Sequence, residues 1–357
     1  MSDQTPSVAD QVASLESDLS DVLEAATLAD LKDRVEDVAT IIQQLPASME
    51  QVRDRGYLYK SYLENKLEML GKQWSELKPK VDREINTQVA TLRRSLQTVE
   101  GEMTKLRAAG SNVARARPLI RTVEGGIKDL ESKIDAAQHA VSGMFDTLQS
   151  NVYQTRSQLQ EVSWMLDQVD ESAVGWTPTE RPVAAVKAKW WRDGKKKGPD
   201  GVLYLTNERL VFEQKEKVAT KKVLFLATEK ETLQEALFEV PIGLVDDVKA
   251  SHMGIGGHQD HLDLTFGSGA DYHIAHFHLD GQDCEMWQAT INRVKSGEIE
   301  RERIELDEAE AARLAEDAQT LASAPTKCST CGATFTQQIT KGMHEVTCEY
   351  CGTVTRF

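Results

Sequence analysis

Four of the five cysteines in the 357-residue chain stand near its end in two pairs, Cys328-Ser-Thr-Cys331-Gly and Cys348-Glu-Tyr-Cys351-Gly. Thiolates two residues apart can both reach one Zn²⁺ at about 2.3 Å, and a second pair completes a tetrahedron. The glycine after each pair permits the turn that aims backbone amides at sulfur. The expectation is a structural zinc ion held by Cys328, Cys331, Cys348 and Cys351, with an iron–sulfur centre or redox dithiol pairs as alternatives. With all four positions filled by protein, no open position is left for chemistry on a substrate. Cys284 stands apart and reads as a small buried hydrophobe.

A second constellation mixes charge with aromatic surface. Lys187, Lys189, Arg192, Lys195, Lys196 and Lys197 surround Trp190 and Trp191. Tryptophan favours membrane interfaces, and each clustered basic residue is worth about 1 kcal/mol against anionic lipid. The same mixture could stack bases and contact phosphates or meet a protein. The plain alternative is a strand with a solvated basic turn, on which alternation turns one of the two tryptophans into the core.

Histidines form a third group, since six of the eight lie between His252 and His278. His258-Gln-Asp-His261 and His273-Ile-Ala-His276-Phe-His278 read as solvent-side strand and loop residues, with a second metal site or a pH-sensitive surface as alternatives. On a strand, His276 and His278 share a face and His273 points the other way. Gly254-Ile-Gly256-Gly257 opens no helix, which makes it a weak phosphate loop. No Walker, nucleophile-elbow or kinase pattern is present. The chain therefore reads as non-enzymatic, with no catalytic residue and no small-molecule substrate.

The elements that must carry these groups change character along the chain. Up to about residue 172 the apolar residues recur at helical spacing. Pro46 and Pro79 are expected to stop helices, giving helical runs at about 48–77 and 81–109. A long seam then follows, from Val123 through Ile127, Leu130, Ile134, Ala137, Val141, Met144, Leu148, Val152, Thr155, Leu159, Val162 and Leu166 to Val169. A helix from about 119 to 170 would be roughly 75 Å long, which fits a coiled coil or an extended bundle. We expect such a seam to drive self-assembly if it is exposed.

After Gly175, Pro178 and Pro182 the pattern switches to period two. Val202–Glu213 reads as two strands joined at Thr206-Asn207-Glu208. Further strands are expected at 222–227, 236–240, 244–251, 261–266 and 272–278, followed by a helix carrying Trp287, Ile291 and Val294. The phrase Gly201-Val-Leu-Tyr-Leu-Thr-Asn-Glu-Arg-Leu-Val-Phe resembles the hairpin of GRAM and bacterial pleckstrin-homology-like domains. Phe238-Glu-Val-Pro-Ile-Gly-Leu-Val-Asp-Asp-Val and the Trp287 helix resemble later parts of that fold. The resemblance covers about residues 181–296 and implies a non-catalytic module for lipid head groups or proteins. In that fold the basic cluster would lie between the first two strands, where relatives place head-group ligands. The cysteine spacing resembles a zinc ribbon, with strands at 333–335 and 345–347.

The expected architecture is therefore multidomain, α plus α+β. It comprises a helical coiled coil or bundle (1–172), a pleckstrin-like antiparallel β domain with a closing helix (181–296), a charged helical connector (297–322) and a zinc ribbon (325–357). No segment reaches 18 consecutive apolar residues, which excludes a membrane-spanning helix. The acidic start lacks the apolar core of a secretory signal. A cytoplasmic protein follows, peripheral at the membrane if the basic cluster touches lipid.

The formal net charge of −15 argues against a chain that coats nucleic acid. It conceals an acidic segment over 1–50 and a basic one over 51–120, which can pair within a chain or between chains or stay solvated. The function these features suggest is a self-associating adaptor, homo-oligomeric through its helices, that meets an anionic membrane surface or a protein partner. A nucleic-acid-associated factor using the ribbon and the basic helical segment is the alternative. Against it, Lys327, Lys341 and Arg356 are the only basic residues beyond Pro325.

Overall fold

The computed structural model describes residues 7–177, 179–191, 198–223, 226–305, 312, 325–335 and 345–357. It divides into two compact units, one of residues up to Ser48 with Glu64–Ser157, the other of Met49–Leu63 with Gln158–Phe357. The helices are α1 (Val8–Ala25), α2 (Ala29–Asp54), α3 (Tyr62–Ala109) and α4 (Val113–Asp170).

In the first unit the helices bury the apolar stripes that the sequence displays. Leu15, Leu19 and Val22 of α1, Val35 and Val38 of α2, and Val81, Ile85 and Met103 of α3 are all buried. The α4 seam is closed within one chain as well, with Val123, Leu130, Val141 and Val152 fully buried. The apolar surface of these four residues is thus already removed from water in a single copy, so the exposure that assembly through them would need is not present. The acidic and basic segments also meet inside the chain. Arg107 pairs with Glu16 at 2.7 Å and Lys78 with Glu36 at 2.8 Å.

Two expected stops are absent. Helix α2 continues through Pro46 and α3 through Pro79. A proline inside a helix costs about 3 kcal/mol, which burial of Leu45 and Met49 around one proline, and of Val81 and Ile85 after the other, offsets. The chain breaks instead between them, where Gly56 and Lys60 take positive φ of 85° and 56°. Arg53 Nη1 donates there to the carbonyls of Tyr57 and Tyr59 at 2.6 and 2.9 Å.

The second unit carries the sheet. Its strands are β1 (Pro182–Trp190), β2 (Asp200–Thr206), β3 (Arg209–Val223), β4 (Leu226–Pro241), β5 (Val245–Met253), β6 (Gln259–Phe266) and β7 (Ile274–Asp280). All neighbours are antiparallel, in the order β4-β3-β2-β1-β7-β6-β5. Two meanders, of four and three strands, thus join where β7 pairs with β1. Helix α5 (Cys284–Lys295) follows and buries Trp287, Ile291 and Val294, as expected of a closing helix. The core is aromatic, with Phe212, Phe238 and Phe277 almost wholly buried. Much of the segment read as a charged helical connector, 297–322, lies outside the described residues. Its start is a short 3-10 turn, Glu298–Glu302. Last come β8 (Glu345–Thr347) and β9 (Val354–Arg356), a two-stranded antiparallel ribbon.

Candidate functional site

Both cysteine knuckles fold alike. Gly332 N–H donates to the Cys328 carbonyl at 2.9 Å, and Gly352 N–H to the Cys348 carbonyl at 2.8 Å. Each glycine has φ of 72°, the left-handed conformation that side chains disfavour. The β8–β9 ribbon carries the second knuckle, while a bridge between Lys327 and Thr334 closes the first. The four Sγ atoms lie within 4.8 Å of one another. Cys328 and Cys351 are 3.6 Å apart, and Cys331 and Cys348 3.5 Å. Sulfur atoms on the edges of a zinc tetrahedron stand about 3.8 Å apart, so the donor set fits that ion. Thr353 supports one ligand, because its hydroxyl and its backbone N–H stabilise the Cys351 thiolate and bring the thiol down to about 6.

The basic cluster divides across the sheet. Trp190 is 2 % exposed and packs in the core, edge-on to Phe238 and Tyr272 and stacked against Phe277. Lys187 and Lys189 alternate with it and face the other way. Arg192, Lys195, Lys196 and Lys197 lie outside the described residues. A cleft of about 380 Å³ on this outer face is lined by Lys187, Lys189 and Lys215 with Gln168, Asp200 and His278 among its walls. Lys189 pairs with Asp200 at 3.0 Å and Lys215 with Glu171 at 3.0 Å. The Lys187 ammonium stands 6.0 Å from the Trp164 ring. Lys215 belongs to β3, far from the cluster in sequence, and only the β1–β2–β3 pairing brings it into the cleft.

Trp191 lies against histidines. Its backbone N–H donates to the His276 carbonyl at 2.9 Å, and its ring stacks on His276 at 4.9 Å and tilts over His261 at 4.8 Å. The register of β6 on β7 sets His261 opposite His278 and Asp263 opposite His276. Asp263 accepts from His276 Nδ1 at 2.6 Å, which leaves His276 Nε2 to accept from His261 Nδ1 at 2.9 Å. Nε2 of His261 is buried without a hydrogen-bond partner among the described residues. Burial, with the His276 and His278 rings beside it, holds His261 down to about 4. The expectation of solvent-side histidines thus fails at His261, which is fully buried. Period-two reading could pair His276 with His278 on one face, but not bring them to a third histidine on β6.

The polar residues of the resemblance-bearing hairpin are occupied in holding the turn. Asn207 Oδ1 accepts from Arg181 N–H at 2.6 Å. Arg209 donates to both oxygens of the buried Glu180, at 2.9 and 3.0 Å. Glu213 is fully buried and accepts from Tyr204 Oη and Ala173 N–H at 3.0 and 2.6 Å.

No protein-family model and no curated sequence matches the chain. Among solved structures it is similar to the Vps36 N-terminal PH domain, at 10 % identity and TM-score 0.24, over 34 % of this chain and 84 % of that one. It is also similar to a DUF1696-family protein with a pleckstrin-homology domain from Shewanella loihica, at 15 % identity and TM-score 0.22, over 38 % and 92 %. A third likeness, at 12 % identity and TM-score 0.24, is to the DH/PH fragment of PDZRhoGEF solved with human RhoA, over 82 % and 96 %. The fold itself rests on the strand order, two antiparallel meanders and a following helix.

Proposed function

We propose that the chain is a non-catalytic adaptor whose sheet module docks on anionic, phosphate-bearing surfaces, with a zinc-held ribbon at its C-terminal end. The observation that carries this reading is the outer-face cleft in which Lys187, Lys189 and Lys215 converge from two strands. Two of these lysines have carboxylate partners, which hold their ammonium groups in place without neutralising the third. The sequence between β1 and β2 carries Arg192, Lys195, Lys196 and Lys197, four further basic residues. Trp190 serves this reading indirectly, by anchoring β1 in the core.

Co-sedimentation with vesicles of neutral lipid, with and without anionic lipid, tests the proposal. Each basic residue near an anionic surface is worth about 1 kcal/mol. Reversing Lys195, Lys196 and Lys197 to Glu should then weaken binding to anionic vesicles by about 100-fold or more, and Lys187→Glu should weaken it by about 10-fold. Vesicle binding that is unchanged in both variants, or that does not depend on anionic lipid, overturns the reading.

A further inference from the structure

Cys284, the cysteine outside the ribbon, is not surrounded by apolar groups. It is fully buried, yet its Sγ lies 3.6 Å from the Ser251 carbonyl and 3.8 Å from His252 Nδ1. His252 Nδ1 is also 3.3 Å from Asp260 Oδ1, and that oxygen accepts from the Cys284 N–H at 3.1 Å. The nitrogen, the oxygen and the sulfur all lie within 4.8 Å of one another. They come from three elements, the end of β5, the start of β6 and the first residue of α5.

We propose that His252, Asp260 and Cys284 form a second zinc site, separate from the four-cysteine ribbon. Around one tetrahedral zinc, a nitrogen and an oxygen ligand stand about 3.3 Å apart and a nitrogen and a sulfur about 3.6 Å. The observed 3.3 and 3.8 Å match these edges. The far ring nitrogen of His252 lies 3.7 Å from Glu285 Oε1, the side on which a carboxylate orients a metal-bound imidazole. A Cys–His nucleophile pair would need its carboxylate on that far nitrogen alone. Here Asp260 shares the thiol's nitrogen, which is what three ligands of one ion do.

Charge supports the same conclusion. Asp260 and Glu285 place two carboxylates against the one imidazole of His252, a balance that a divalent cation corrects. His252 is 44 % exposed at its side chain, so the ion would be reached from solvent and keep a water as its fourth ligand.

The test is metal content of the full chain after equilibration with zinc and removal of free metal. Two zinc ions per chain are expected in the wild type, one in His252→Ala, and one in the Cys331→Ser/Cys351→Ser variant. His252 is exposed, so its replacement should leave the sheet folded, as far-ultraviolet circular dichroism would verify. In a chain with all four ribbon cysteines changed to Ser, added Co²⁺ should give a thiolate-to-metal charge-transfer band that Cys284→Ser or Asp260→Asn abolishes. One zinc in the wild type, a zinc content unchanged by His252→Ala, or no cobalt band in the ribbon-less chain overturns the proposal.

Discussion

Trp191 stacks on His276 with ring centroids 4.9 Å apart and an interplanar angle of 20°. Its neighbour Trp190 points through the sheet into the aromatic core. One dipeptide therefore closes both faces of β1. On the outer face Trp191 covers a relay of Asp263, His276 and His261, and keeps water from the last ring.

Replacing the two tryptophans should have unequal costs. Trp190→Ala removes the hub of a packed aromatic cluster and should destabilise the fold by about 3–5 kcal/mol. Trp191→Ala uncovers a half-exposed face and should cost about 1–2 kcal/mol. It should also raise the His261 titration toward the ordinary histidine value as water reaches the ring. Urea unfolding and histidine NMR titration measure both effects, and equal costs would refute the division of roles.

His261 sets a pH dependence whose sign follows from its shift. The unfolded chain protonates this ring near 6.5, while the folded chain resists until about 4. Between those values the unfolded state holds the extra proton, so stability falls as pH drops through that window. The slope approaches about 1.4 kcal/mol per pH unit for one group. His261→Gln should flatten the curve of unfolding midpoint against pH between 6.5 and 4. An unchanged slope would place the proton uptake elsewhere.

The knuckle glycines should control zinc affinity through the backbone alone. An added Cβ at Gly332 or Gly352 would meet nothing within 4 Å, so the only penalty is a left-handed φ of 72°. That conformation costs other residues roughly 1–2 kcal/mol. Gly332→Ala should therefore weaken zinc about 5- to 30-fold in chelator competition. Gly332→Asn should recover part of the loss, since asparagine tolerates this region.

What was legible in the sequence tracks how local the signal is. The two CxxCG pairs and the Tyr204–Phe212 hairpin each need only a few residues of context, and both appear as read. The β3–β4 ribbon was only partly legible: the single strand expected at 222–227 spans the connection between β3 and β4, and the pairs Lys215–Gln234 and Glu216–Leu233 show no apolar alternation. Pro46 and Pro79 misled for a related reason. A local rule predicts a stop there, and burial contributed by distant helices overrides it. The His261 relay, Lys215 in the cleft and the surroundings of Cys284 all depend on strand pairing across many residues. No periodicity within one strand carries that information.

Adjacent glycines in α4 offer a test of packing against propensity. Gly125 has nothing within 4 Å of a built Cβ, whereas at Gly126 it would stand 3.0 Å from Val99 Cγ2. Alanine is favoured over glycine in a helix by about 0.8–1.0 kcal/mol. Gly125→Ala should therefore stabilise the helical unit by nearly that amount. At Gly126 the same gain is opposed by the valine of α3, so Gly126→Ala should be close to neutral. Gly126→Leu forces α3 and α4 apart and should cost about 1–3 kcal/mol. Thermal unfolding of the three variants orders them, and a stabilising Gly126→Leu would mean that α3 and α4 do not pack closely at Val99.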